Sequence, residues 1–184
     1  MARVGQTEMA VLCVLSVKPM TGYAVREAIR DVLGHFWSES FGQIYPTLAT
    51  LHRGGFLERQ DGDRPGSSTY ALTPTGQERL MTLLQQPDNP APPRNGLMLR
   101  LFFGHALGPT ACRTLIQQAR ADAQQQLLVF AAIRAEVASE DQFEEHRPYW
   151  LLTVAAGEHT SRAALAWADE ALATLEATPA VIPS

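Results

Sequence analysis

Three observations predict a mostly α-helical chain with one two-stranded β-wing. Residues 40–80, SFGQIYPTLATLHRGGFLERQDGDRPGSSTYALTPTGQERL, read as a helix, a Gly-Gly stop, a short strand, a Gly/Pro-rich turn, a second strand and a new helix. Residues 86–96 hold four prolines and a glycine, a composition that neither continues a helix nor joins a central strand. Beyond them lie long Ala/Leu/Gln-rich segments without a strand signal. The expected organisation is an N-terminal winged helix-turn-helix over residues 1–86, a linker over 87–96 and a long-helix domain over 97–184.

The first element is a helix from about Gln6 to Val17, stopped by Lys18-Pro19. Thr21 suits the N-cap of a second helix running to about Gly34, with Ala24, Ala28 and Val32 as an apolar stripe flanked by Ile29 and Leu33. Ser40 is a candidate cap for the third helix, and Gln43 three residues on completes a capping-box pattern. In that helix Ile44, Leu48 and Leu51 fall at i, i+4 and i+7 and are expected to face the core. Its outer surface then carries Gln43, Tyr45, Pro46, Thr47, Ala49, Thr50 and Arg53. Pro46 removes a backbone donor that would have reached Gly42, and its flat ring offers an apolar patch of the kind that rests on a thymine methyl.

Gly54-Gly55 suit a helix C-terminus, after which residues 56–60 and 68–72 read as two strands joined by residues 61–67. Seven residues make a long connection whose Gly and Pro content favours an exposed tip. Arg64 near that tip stands where a minor-groove or phosphate contact belongs. Thr73 is expected to cap a fourth helix that Pro74 opens.

At this point the residues carry a family resemblance. Gly42-Gln43-Ile44-Tyr45-Pro46-Thr47-Leu48, then Leu51, Gly55 and Phe56, then Tyr70-Ala71-Leu72-Thr73-Pro74-Thr75-Gly76 resemble the core signature of the PadR family of bacterial transcriptional regulators. Thr21-Gly22-Tyr23 resembles the start of that family's second helix, and residues 97–103 resemble the start of its C-terminal helical domain. The likeness runs from about residue 5 to residue 177. It implies a dimeric, ligand-responsive repressor that binds palindromic operator DNA through the winged domain and is held together by the C-terminal helices. Its effectors would be small aromatic or planar molecules bound near the dimer interface. Carried over by position, Gln43, Tyr45, Pro46 and Thr47 of the third helix and Arg64, Ser67 and Ser68 of the wing are the DNA-facing places, and Thr21, Tyr23, Thr50 and Arg53 complete the candidate DNA-binding set. The chain departs from the family where basic residues usually stand, at Ala49-Thr50 and at Ser67-Ser68. Fewer cations release fewer counterions, so a shallower salt dependence is expected than for a basic relative.

The second half points to a homodimer from its own pattern. Ile116, Ala119, Ala123, Leu127, Phe130 and Val137 recur at helical spacing, as do Leu152, Ala156, Ala163, Trp167 and Ala171. Each pattern is on the order of 40 Å long, too long for one small domain to cover. A second copy is the economical cover, and a two-fold dimer suits half-sites ~34 Å apart. Phe102, Phe103, Trp150 and Trp167 are candidate effector-lining residues beside the simpler reading that they pack the core.

The 184 residues are 46% apolar, which suits one domain or two small ones. Residues 1–86 are neutral, with eight Lys/Arg and eight Asp/Glu, while residues 87–184 hold seven against eleven. The net charge of −4 therefore lies in the second half and gives the first half no strong electrostatic footprint. No segment is apolar enough to span a membrane and no basic leader precedes the first helix, so a cytoplasmic protein is expected. Cys13 and Cys112 form neither a zinc spacing nor a disulfide framework. Glu144-Glu145-His146 and Glu158-His159 match no ligand motif, and His35, His52 and His105 stand alone. No catalytic residues, metal or cofactor are expected. The alternative to an operator-binding regulator is a winged helix that has lost its cationic contacts and binds a protein instead.

Overall fold

A computed structural model of the chain describes residues 2–34, 37, 41–62, 67–87, 94–139 and 142–177. The chain forms two compact units, Met1–Pro90 and Ala91–Ser184. None of the helices among the described residues is long and apolar enough to cross a membrane.

The first unit runs α1 (Ala2–Val17), β1 (Met20–Thr21), α2 (Gly22–Ala28), α3 (Phe41–Arg53), β2 (Leu57–Gln60), β3 (Thr69–Leu72) and α4 (Pro74–Leu84). Its core gathers Val11, Leu12 and Leu15 of α1, Val25 and Ile29, Ile44, Leu48 and Leu51 of α3, Leu57 of β2, and Leu80 and Leu83 of α4. The expected inner face of α3 is thus the buried one. Thr21 caps α2 by accepting the Ala24 N–H at 3.2 Å. The stripe expected on this helix requires correction, because Val25 and Ile29 are buried whereas Val32 is exposed. The reason is that α2 passes at Ile29 into a π-helical turn, Ile29–Leu33, whose wider winding breaks the four-residue spacing that linked Ala24, Ala28 and Val32.

The sheet has three strands where the sequence showed two. The β2–β3 hairpin pairs antiparallel from Leu57↔Leu72 to Gln60↔Thr69. Met20 and Thr21 then add to the free edge of β3 opposite Tyr70 and Thr69, giving the order β1-β3-β2. A two-residue strand has no periodicity to detect, and its pairing is set by where α1 and α2 deliver the chain. Phe56 lies outside β2 because it completes the C-terminus of α3. Its N–H bonds Leu51 O while the Gly55 N–H bonds His52 O, both at 3.0 Å, with Gly55 at φ 75°. This is the Schellman arrangement, and the left-handed Gly55 is what permits it.

Thr73 starts α4 with two bonds, accepting the Gly76 N–H at 3.0 Å and donating to Gly55 O at 2.8 Å. Gly76 is needed for space, since a Cβ there would stand 2.1 Å from Phe56 O. The Arg79 guanidinium reaches back from α4 to Glu8 of α1 at 2.7 and 3.1 Å.

The second unit runs α5 (Gly96–Phe102), α6 (Gly104–Leu107), α7 (Pro109–Ser139) and α8 (Arg147–Ala177). Asn95 caps α5 by accepting the N–H groups of Leu97 and Met98. The two 31-residue helices, each about 46 Å long, form an antiparallel hairpin. Ile116, Ala123 and Phe130 of α7 and Val154, Ser161 and Ala168 of α8 are buried, at seven-residue intervals in both helices. The expected α7 face is the packed one. The α8 stripe requires correction, because Leu152, Ala156 and Ala163 are exposed and the neighbouring face is packed instead. Alanine is permissive on either side of a helix, so Ala-rich spacing fixed the element but not the side that meets α7.

Candidate nucleic-acid interface

The outer face of α3 and the start of α2 come together as one surface. Gln43, Tyr45, Pro46, Ala49, Thr50 and Arg53 are exposed, with Thr47 half-buried. Tyr45 of α3 leans over the first turn of α2. A Cβ at Gly22 would lie 3.0 Å from its ring and 3.4 Å from Leu48, so the glycine is the seat of the tyrosine. Tyr23 stands beside it, 59% exposed, as against 51% for Tyr45. Two solvated aromatic rings on adjacent helix starts are unusual for a surface that only faces water, since each leaves a large apolar area unburied. Thr21 is held differently, its hydroxyl already serving as the cap of α2.

The C-terminal turns of α3 fold their polar groups onto the helix. Thr50 Oγ1 donates to Pro46 O at 2.9 Å, and Arg53 donates to Ala49 O and to Thr50 Oγ1, both at 3.3 Å. These bonds leave the Arg53 guanidinium exposed at the helix end. His52, expected to be isolated, places Nδ1 3.0 Å from Leu57 O and so ties α3 to β2.

Beyond β2 and β3 the hairpin stays narrow, because a Cβ at Gly62 would collide with Ser67. At this level Arg59 Nη2 lies 2.8 Å from Asp61 Oδ1 and donates to Ser68 Oγ at 3.0 Å. The Ser68 hydroxyl donates to the same carboxylate oxygen at 3.0 Å. Ser68 is therefore part of a closed ring of polar contacts. Arg59 and Asp61 were absent from the sequence-derived set, and the signal that could have found them is their placement at the end of a strand facing Ser68. Arg64 and the candidate α3 cap Ser40 lie outside the described residues, as do His35 and residues 88–93 of the linker.

The four aromatic residues expected to line an effector site do not gather in one place within the chain. Phe102 and Phe103 pack edge to face at 5.1 Å at the α5–α6 junction, next to Gly104, whose carbonyl oxygen Cys112 Sγ contacts, and both remain largely exposed. Trp150 lies at the other end of the hairpin, stacked on His146 at 5.5 Å with Phe143 5.7 Å away. Trp167 is 17 residues further along α8, about 26 Å from Trp150 along the axis. The Glu/His residues also part company. Glu158 bonds Arg134 and Arg162 while His146 stacks on Trp150. Among the described residues no three His, Cys, Asp or Glu side chains are grouped to hold a metal.

Comparison with known proteins places both units. Residues 11–82 match the transcriptional regulator PadR-like family and residues 93–176 match the virulence activator alpha C-terminal family. The negative transcriptional regulator PadR of Bacillus subtilis is 30% identical over 98 residues. That stretch is 51% of this chain and 54% of the relative, about half of each. The structure of Bacillus subtilis PadR in complex with operator DNA is similar at a TM-score of 0.78 and 21% identity, covering 91% of this chain and 98% of that one. The same protein in complex with p-coumaric acid is similar at a TM-score of 0.77, again at 21% identity, covering 92% and 98%. These relatives are transcriptional regulators and not enzymes, and the PadR-like match falls on the winged first unit. Residues 11–82 thus match the PadR-like family of transcriptional regulators, in a chain that shares the fold of the PadR structures.

Proposed function

We propose that this regulator is a ligand-responsive repressor that binds a palindromic operator as a homodimer. The observation that carries the reading is the exposed surface of Gln43, Tyr45 and Pro46 on α3, where the Tyr45 ring sits against Gly22, next in the chain to the exposed Tyr23 of α2. In a winged helix-turn-helix this helix lies in the major groove, and two copies related by a two-fold axis address half-sites ~34 Å apart. Under this reading Thr21, Tyr23, Gln43, Tyr45, Pro46, Thr47, Thr50 and Arg53 face the groove and its rims, and Arg64, Ser67 and Ser68 belong to the wing contact. The first unit binds DNA, and the second holds the dimer through the apolar side chains that α7 and α8 leave uncovered, Leu128 and Leu152 among them.

An effector is taken by the second unit. Bacillus subtilis PadR has been solved with p-coumaric acid, and a small aromatic acid of that kind is the class proposed here. Since Trp150 and Trp167 stand far apart on α8, an effector site using both needs side chains from two protomers. Repression is steric, and effector binding alters the spacing of the two α3 helices so that both no longer fit the operator.

A mobility-shift series with the DNA flanking this protein's own gene tests the reading. The wild type is expected to shift the fragment at micromolar concentration and low salt, and Tyr45→Ala to lose at least tenfold in affinity with unchanged thermal unfolding. Absence of any shift by the wild type would sink it. A second reading, a winged helix that binds a protein, is favoured by one observation. Arg30, Arg59 and Arg79 are all paired with carboxylates of the same unit. A binding constant for DNA that ignores salt, together with a co-purifying protein, would favour that reading.

A further inference from the structure

The first unit has few cations, and the ring of contacts at the base of the wing engages one that faces outward. Arg59 and Asp61 keep 44% and 76% of their side chains in solvent while bonded to each other and to Ser68. The other paired arginines differ. Arg79 spans α1 and α4, and Arg30 sits in the π-helical turn at the far end of α2 from the recognition surface. Arg59 alone of the three lies on the wing, beside two residues already assigned to its contact with DNA.

A guanidinium presents parallel N–H donors that fit a phosphate as they fit a carboxylate. An exposed ion pair is worth only ~0.2–1 kcal/mol. The carboxylate of Asp61 therefore occupies Arg59 weakly, in the way a phosphate would occupy it more strongly in the field of a duplex. We propose that Arg59 is the phosphate-binding cation of the wing and that Asp61 is its internal competitor. In the free protein Asp61 accepts from both Arg59 and Ser68. On DNA, a backbone phosphate takes Asp61's place on Arg59, and the Ser68 hydroxyl turns its proton from the carboxylate to a phosphate oxygen. No bond is made or broken beyond these hydrogen bonds. The exchange leaves Asp61 bare beside the duplex, so the wild type gains one contact without gaining net charge neutralisation. This inference rests on the DNA-binding reading above.

The test is anisotropy titration of a fluorescein-labelled mixed-sequence duplex, since a phosphate contact carries no sequence information. Full-length wild type, Asp61→Asn, Arg59→Gln, the double variant and Glu58→Gln are compared over a range of salt. Glu58 is exposed on the same strand, so its variant makes the same change in net charge without touching the ring. Asp61→Asn is expected to bind about threefold tighter, within the range of an exposed ion pair. Its slope of log affinity against log salt should steepen by about 0.9, the value of one additional neutralised phosphate. Glu58→Gln should leave the slope unchanged, and Arg59→Gln in the Asp61→Asn background should remove both gains. The proposal fails if Asp61→Asn gains no more than Glu58→Gln, or if its gains survive the loss of Arg59. Wild-type binding with none of these differences overturns the role of Arg59 alone. No binding by any variant at low salt overturns the DNA reading and this inference with it.

Discussion

Single residues set the joints of the winged unit. Thr73 links the end of α3 to the start of α4 through one hydroxyl, which accepts from Gly76 N–H and donates to Gly55 O. Thr73→Ala removes a capping oxygen and is expected to cost ~1 kcal/mol, typical of an N-cap. At Gly76 two effects oppose each other. Alanine gains ~1 kcal/mol of helix propensity. Its Cβ, however, would stand 2.1 Å from the backbone oxygen of Phe56, which has no rotamer by which to retreat. Gly76→Ala is therefore expected to be the more damaging change, by ~1–3 kcal/mol of overpacking. Urea denaturation followed by amide exchange in α4 gives both values, and a Gly76→Ala protein as stable as the wild type would contradict the steric account. Of these joints the Thr73 cap was legible in the sequence, because capping acts over three residues, whereas the bond to Gly55 O and the fit of Gly76 to Phe56 join distant positions and were not legible. The seat that Gly22 gives Tyr45 was not legible either, because it joins residues 23 positions apart.

At the scale of elements, the α7–α8 hairpin is fixed by size and by charge. Phe130 needs a gap on α8, and Gly157 supplies it, since a Cβ there would come within 2.2 Å of the ring. Gly157→Ala is expected to lower stability by ~1–3 kcal/mol despite better helix propensity, because the ring it would meet is buried. Thermal unfolding of the full chain checks this. Three arginines of α7 meet acids of α8 in antiparallel order, Arg113 with Glu176, Arg120 with Asp169 and Arg134 with Glu158. Hydrogen bonding from Arg134, helped by Arg162 and opposed by burial, pulls the Glu158 carboxyl down to about 2. Its folded value lies below the unfolded value of about 4.3. The stability it contributes is therefore complete above the unfolded value and is lost as pH falls through the folded one. Unfolding measured from pH 6 to pH 2 is expected to show wild type and Glu158→Gln converging as the acid is titrated. A constant gap between them across that window would refute the assignment. The sequence indicated both helices by their periodicity and length. It misplaced the inner face of α8 because alanines occur on both sides, and only Val154, Ser161, Ala168 and Gly157 meeting α7 decide between them.

For the whole molecule, the apolar side chains that the second unit leaves exposed are where the proposed dimer is tested. Leu128 of α7 and Leu152 of α8 are about two-thirds exposed, more than the packed hairpin needs to leave in water. Leu128→Glu with Leu152→Glu is expected to convert a dimer to a monomer in sedimentation while the helical content stays unchanged. A wild type that sediments as a monomer would remove the basis for a two-fold operator complex. The neutrality of the first half, read from composition, has a local counterpart in the structure, where Arg30, Arg59 and Arg79 pair with carboxylates of the same unit. By itself the sequence determined the order of helices and wing strands, the caps at Thr21 and Thr73 and the inner face of α3. These are properties of short-range spacing and backbone preference. Only the tertiary structure decided that Met20-Thr21 forms a third strand, that α2 widens at Ile29, that α8 turns Val154 and not Leu152 toward α7, and that Asp61 and Ser68 close on Arg59. Each depends on contacts between residues brought together by folding, whose energy is absent until both partners are in place.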